Sequence, residues 1–159
     1  MASSRPHARV AVITGSPNDL PTVEKAIEVL DSLGIASELR VLSAHRTPHE
    51  TVRYVEDAEG RGIQVFIACA GMANHLGGVV AAHTLKPVIG VPLGSTNLAG
   101  LDSLLSTVQM PPGVPVATVA VDGTKNAAFL AARILGLTDS AIIERLTALR
   151  EKDKERYDI

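Results

Sequence analysis

Apolar residues recur along this chain in two rhythms. Short runs rich in β-branched residues predict five buried strands: Arg9–Thr14 (RVAVIT), Ala36–Leu42 (ASELRVL), Gln64–Ala68 (QVFIA), Pro87–Pro92 (PVIGVP) and Val116–Val121. Between them the spacing changes to three and four. Val23, Ala26, Ile27 and Leu30 share one face of a helix that Gly34 stops. Thr47-Pro48-His49-Glu50 reads as a capping box with proline in the first turn, so a helix is expected from there to about Gly60. A short helix near His75–Ala82 follows, then one over Leu101–Gln109, and two more over Asn126–Leu135 and Ser140–Arg150. Strand–helix alternation predicts an α/β fold with one parallel sheet covered on both faces. No repeat, low-complexity tract or linker interrupts it, so residues 1–159 read as a single domain, with Met1–Ala8 as a flexible tail.

Composition narrows the function. Hydrophobic residues make up 46% and charged residues 20%, which excludes a disordered chain. A net charge of −2 and 3% aromatic residues give no electrostatic or stacking basis for nucleic acid. No apolar run approaches the roughly 18 residues of a membrane span, and Met1–Ala8 lacks the apolar stretch of a secretory signal. A cytoplasmic protein is expected, with neither nucleic acid nor membrane as partner. Cys69 is the single cysteine, and the five histidines lack ligand spacing, so no metal is expected. Cys69 reads as a small buried residue at the end of the third strand.

Ligands of open parallel sheets bind beyond the carboxyl ends of the strands. The polar residues there are Ser16, Asn18 and Asp19; Ser43, His45 and Arg46; Gly71, Asn74 and His75; and Ser95, Thr96 and Asn97. The Gly15–Asp19 turn precedes a helix N-terminus, which favours an anion such as phosphate. Ser16 adds a hydroxyl, whereas Asp19 suits ribose hydroxyls better than phosphate. Asn18 or Asp19 also fits a plain helix cap. Arg46 can fork onto phosphate, and His45 carries an imidazole suited to proton transfer, although both also fit a solvated loop. The Cys69–Gly78 loop is built of small residues that allow backbone to approach a ligand, with His75 at its helix start.

Together these motifs resemble one family. Ser43-Ala44-His45-Arg46-Thr47-Pro48 matches its S-A-H-R-T-P, and Gly15-Ser16-x-x-Asp19 matches its G-S-x-S-D loop. Ala70-Gly71-x-Ala73-x-His75-Leu76-x-Gly78 resembles its A-G-x-A-A-H-L-P-G loop. The segments Pro87–Pro92, Gly100–Ser106, Val108–Pro111 and Gly113–Ala120 match as well. The chain is thus similar to the N5-carboxyaminoimidazole ribonucleotide mutases of purine biosynthesis from about Arg9 to Leu135. The resemblance implies a three-layer flavodoxin-like fold with a five-stranded parallel sheet, a homo-octamer, and no cofactor or metal. It implies that carboxylate moves from N5 to C4 of the aminoimidazole ribonucleotide, with His45 as general acid and base. By the same resemblance Ser16, Asp19 and Arg46 hold ribose and phosphate, and the loop Gly71–Leu76 covers the imidazole end. Asn18, Ser43, Ala44, Asn74, His75 and Leu76 complete the expected substrate-binding set.

The chain also departs from that pattern. Asn18 replaces a serine, Cys69 and Met72 stand where glycines are usual, Asn74 replaces an alanine, Gly77 a proline and Val79 a methionine. Five of these six fall in the loop over the reacting end. Three other readings therefore stay beside the mutase: a direct aminoimidazole ribonucleotide carboxylase using CO2, a relative acting on another ribonucleotide, and a non-enzymatic nucleotide-binding module. The apolar stretch Leu101–Gly113 fits either the core or subunit contacts, which the resemblance tilts toward an octamer. The helix beginning at Ser140 reads as amphipathic with a charged, solvated end at residues 150–156.

Overall fold

The computed structural model describes residues 7–94 and 97–157. Met1–Pro6 of the expected tail, Ser95, Thr96 and the last two residues lie outside them. Five strands form one parallel sheet: β1 (Val10–Thr14), β2 (Ser37–Val41), β3 (Val65–Gly71), β4 (Val88–Leu93) and β5 (Ala117–Thr118), in the order β2-β1-β3-β4-β5. Val12 pairs with Leu39 on one side and Ile67 on the other. Six helices connect and cover the sheet: α1 (Leu20–Ser32), α2 (Pro48–Gly60), α3 (Leu76–Ala82), α4 (Leu101–Val108), α5 (Thr124–Gly136) and α6 (Ser140–Lys154). The three-layer α/β arrangement and its strand order are flavodoxin-like, as expected.

The continuous apolar runs are explained by burial on both faces. Val10, Val12, Val65, Ile67, Cys69, Ile89 and Val91 point toward α1, α5 and α6. Their neighbours Ala11, Ile13, Phe66, Ala68 and Val88 point toward α2 and α3. Alternation along each strand thus builds two cores at once. Alanines 127, 128, 131 and 132 keep α5 thin where it meets α1 and the sheet. Close approach also fixes Gly90: a Cβ there would lie 2.4 Å from Thr107 Cγ2 and 2.7 Å from Val116 Cγ1. On α6, Ile142 and Leu146 are buried and Arg145 donates to the Leu33 carbonyl at 2.8 Å, while residues 151–157 are exposed.

Three local expectations are corrected. The fifth strand is two residues long, not six. Beyond Thr118 the chain leaves the regular ladder, keeping only scattered bonds such as Asp122 N–H to the Pro92 carbonyl at 2.9 Å. The capping box does not form, because the Thr47 hydroxyl turns back to Ser43 instead of capping α2. A 3₁₀ turn over Pro17–Asp19 precedes α1 and is capped by Ser16, which accepts from Asn18 N–H, whereas Asp19 stands at the N-cap position of α1 without a capping bond from its side chain. The stretch Leu101–Gly113 splits within the protomer. Ser103 and Thr107 face inward, while Leu101, Leu105 and Val108 are about half exposed.

Candidate active site

Strand β1 lies between β2 and β3, so the sheet is built outward to one side of β1 with β2 and to the other with β3, β4 and β5. The loops after all three strands therefore converge over its carboxyl end, the usual place for a ligand crevice. A cavity of about 460 Å³ opens there, large enough for a small ligand. It is lined by Gly15, Ser16, Asn18 and Asp19, by Ser43, Ala44, His45 and Arg46, and by the loop Ala70–Ala73 with His75 and Leu76.

Each loop is fixed by its own bonds. After β1, the N–H groups of Asn18 and Asp19 are taken by Ser16 Oγ and the Ser16 carbonyl at 3.2 Å each. The turn consequently presents side chains to the cavity more than bare N–H groups. Thr14 is fully buried at the end of β1, and its hydroxyl reaches Asp19 Oδ2 at 3.5 Å. Burial raises the Asp19 carboxyl above its ordinary value; the Thr14 bond opposes this and the charge of Asp122 adds to it.

After β2, Ser43 closes the turn. Its N–H donates to Thr47 Oγ1 at 2.9 Å, its carbonyl accepts from that hydroxyl at 3.1 Å, and its Oγ accepts from Arg46 N–H at 3.2 Å. This closed ring of bonds holds His45 and Arg46 outward at the cavity. After β3, Met72 adopts φ 55°, a left-handed conformation that costs a non-glycine residue free energy. Its side chain is exposed at the cavity rim.

The two histidines meet across the cavity. His45 Nε2 lies 2.8 Å from His75 Nδ1, and the rings pack edge to face with centroids 4.9 Å apart. A hydrogen bond at that distance needs one ring as donor and the other as acceptor, the roles being set by the tautomers. His45 Nδ1 and His75 Nε2 remain for other partners.

Of the expected residues, the structure gathers Ser16, Asn18, Asp19, Ser43, Ala44, His45, Arg46, Gly71, His75 and Leu76 around one cavity. It does not bring Asn74 there. That side chain is 1% exposed, with Nδ2 3.5 Å from the Val91 carbonyl, because a bond from its N–H to Ser106 turns the residue inward. The cavity also includes Gly15, Ala70, Met72 and Ala73, which belong to the expected loops but were not named individually as substrate-binding residues. Their position on the same loops was the available signal. Cys69 is fully buried, with its thiol pushed up by burial first and by the Asp19 charge second, consistent with an inert core residue.

A doubly wound α/β protein with a polar, two-histidine pocket at its strand switch point is the class that fold and site define. The model of the AIR carboxylase family matches residues 9–156, and the chain belongs to that family. The N5-carboxyaminoimidazole ribonucleotide mutase of Saccharolobus solfataricus is 56% identical over 143 residues, 90% of each chain. The mutase of Pyrococcus abyssi is 54% identical over 146 residues, 92% of this chain and 84% of the relative. The crystal structure of Treponema denticola PurE superposes with a TM-score of 0.85 at 32% identity, covering 92% of each chain.

Proposed function

We propose that this protein is an isomerase of purine biosynthesis that converts N5-carboxyaminoimidazole ribonucleotide to the 4-carboxy isomer. The relatives named as mutases support the activity, and the 2.8 Å contact between His45 and His75, which both line the cavity, supports the mechanism. Protonation of N5 breaks the N5–carboxyl bond and releases CO2 inside the pocket. The electron-rich C4 of the aminoimidazole then attacks that CO2, and the C4 proton leaves to a base. The reaction therefore gives one proton and takes one back, with no net change in the enzyme. His45 does both: it gives its proton to N5, stands as the neutral base while CO2 moves, and takes the C4 proton, with the His75 imidazole holding its ring in place. Arg46 suits the phosphate, and Asp19 with Ser16 suits the ribose hydroxyls. The loop of Ala70, Gly71, Met72 and Leu76 keeps CO2 near C4.

The reading includes assembly and location. No helix among the described residues is long and apolar enough to cross a membrane. We place the protein in the cytoplasm as a homo-octamer, with the outward apolar face of α4 buried between copies. The small ribonucleotide is its one ligand, with no nucleic acid and no membrane as partner.

The test is conversion of N5-carboxyaminoimidazole ribonucleotide by the purified protein without bicarbonate. Formation of the 4-carboxy isomer is expected. Product only from aminoimidazole ribonucleotide plus CO2 would move the protein to the carboxylases. His45→Asn should lower turnover by at least about 10²-fold while substrate analogues still bind. Retained turnover would remove His45 from the role.

A further inference from the structure

Helix α4 is fixed to β4 on its inner side. Ser103 Oγ donates toward the carbonyls of Leu93 at 2.9 Å and Gly100 at 3.0 Å, and Thr107 Oγ1 donates to the Ser103 carbonyl at 2.6 Å. The Thr107 methyl packs against Gly90, where no Cβ would fit. This rigid element stands beside the loop that carries His75.

Ser106 on α4 reaches the loop. Its Oγ lies 2.7 Å from the Asp102 carbonyl one turn back and 3.4 Å from the Met72 carbonyl, and it accepts from Asn74 N–H at 2.9 Å. A hydroxyl has one hydrogen to give and lone pairs to receive. Donation to Asp102 aims a lone pair at Asn74, so the helix backbone orients the bond that holds the loop. The competing tether is weak: Asn74 Nδ2 is 3.5 Å from the Val91 carbonyl, and the buried Asn74 Oδ1 has no partner. Met72, two residues upstream, holds a costly left-handed conformation that a loose loop would relax. His75 follows Asn74 directly, with its ring against His45.

We propose that Ser106 is a positioning residue for the His45–His75 pair: by holding Asn74 N–H it sets the loop that brings His75 Nδ1 to His45 Nε2. The proposal rests on the reading of this cavity as the mutase site. It assigns Ser106 no contact with substrate. Loss of the hydroxyl leaves the Asn74 N–H unpaired and lets His75 drift, while the Ser16, Asp19 and Arg46 side of the pocket keeps its own bonds. Proton transfer suffers and binding does not.

The experiment compares Ser106→Ala, Ser106→Thr and Ser103→Ala in the full-length protein, with His45→Asn as reference. For Ser106→Ala the expected result is a kcat lower by about ten-fold with KM changed less than about two-fold. Ser106→Thr, which keeps the hydroxyl, should stay within about two-fold of the parent in kcat. Ser103→Ala removes a buried hydroxyl from the same helix without touching the loop, and should lower thermal stability as much as Ser106→Ala while sparing kcat. An unchanged kcat in Ser106→Ala, an equal kcat loss in Ser103→Ala, or failure of Ser106→Thr to restore kcat would each overturn the proposal. If His45→Asn is inactive in the same assay, such a result removes only the role of Ser106. If His45→Asn turns over normally, the site reading itself falls.

Discussion

At the scale of single residues, Asp19 shows how this site trades solvation for contact. Its carboxylate sits over the end of β1, bonded to a fully buried threonine and facing the charge of Asp122. Burial, the largest cause, raises its protonation range above that of an exposed aspartate. A carboxylate that accepts from ribose hydroxyls must be ionised to accept with both oxygens. Substrate binding should therefore weaken on acidification at a higher pH than an ordinary aspartate would allow. Asp19→Asn should raise KM more than it lowers kcat and should flatten the acid side of the kcat/KM profile. An unchanged KM would argue against a ribose contact.

At the scale of elements, α4 is built in an unusual sense for a surface helix. Its inward residues are Ser103 and Thr107, and Leu101, Leu105 and Val108 face out. A small inward face is what close packing on Gly90 demands. The outward apolar face then needs another covering, which the proposed octamer supplies. Leu105→Glu should leave the protomer folded, since Leu105 is 49% exposed within it, yet should break assembly into smaller species by analytical ultracentrifugation. An intact octamer would exclude this face as a contact.

The same helix marks where the sequence stops being readable. Strands β1, β3 and β4 were legible because burial on both faces writes continuous apolar runs. The orientation of α4 was not, because core and subunit contact select the same apolar spacing. The Thr47 cap failed as an expectation because Ser43 claims that hydroxyl first, a competition between neighbours that no motif encodes. Ten of the eleven expected site residues converge because they follow three adjacent strands. Asn74 does not, because the path of its loop is set by Ser106, thirty-two residues away in the chain.

At the scale of the whole molecule, two carboxylates pull stability in opposite directions with pH. Asp139 precedes α6 and bonds the Arg9 guanidinium at 2.6 Å, tying the start of β1 to the last helix. That bond, aided by the charge of Arg9, holds its carboxyl below the ordinary 3.8. A group depressed on folding adds stability above its unfolded value, and that contribution is lost as pH falls through its folded value. Asp19 is raised on folding, so its ionisation works against the fold as pH rises past the ordinary aspartate range. Urea unfolding of Asp139→Asn should give a lower midpoint than the parent at pH 7, with the gap closing below pH 3.8. Asp19→Asn should give a higher midpoint at pH 7, with its gap also closing in acid. Gaps that stay constant with pH would mean the two substitutions act through packing and not through charge. The expected pattern would show that the carboxylate tying α6 to β1 stabilises the fold, while the one at the pocket is retained against a stability cost.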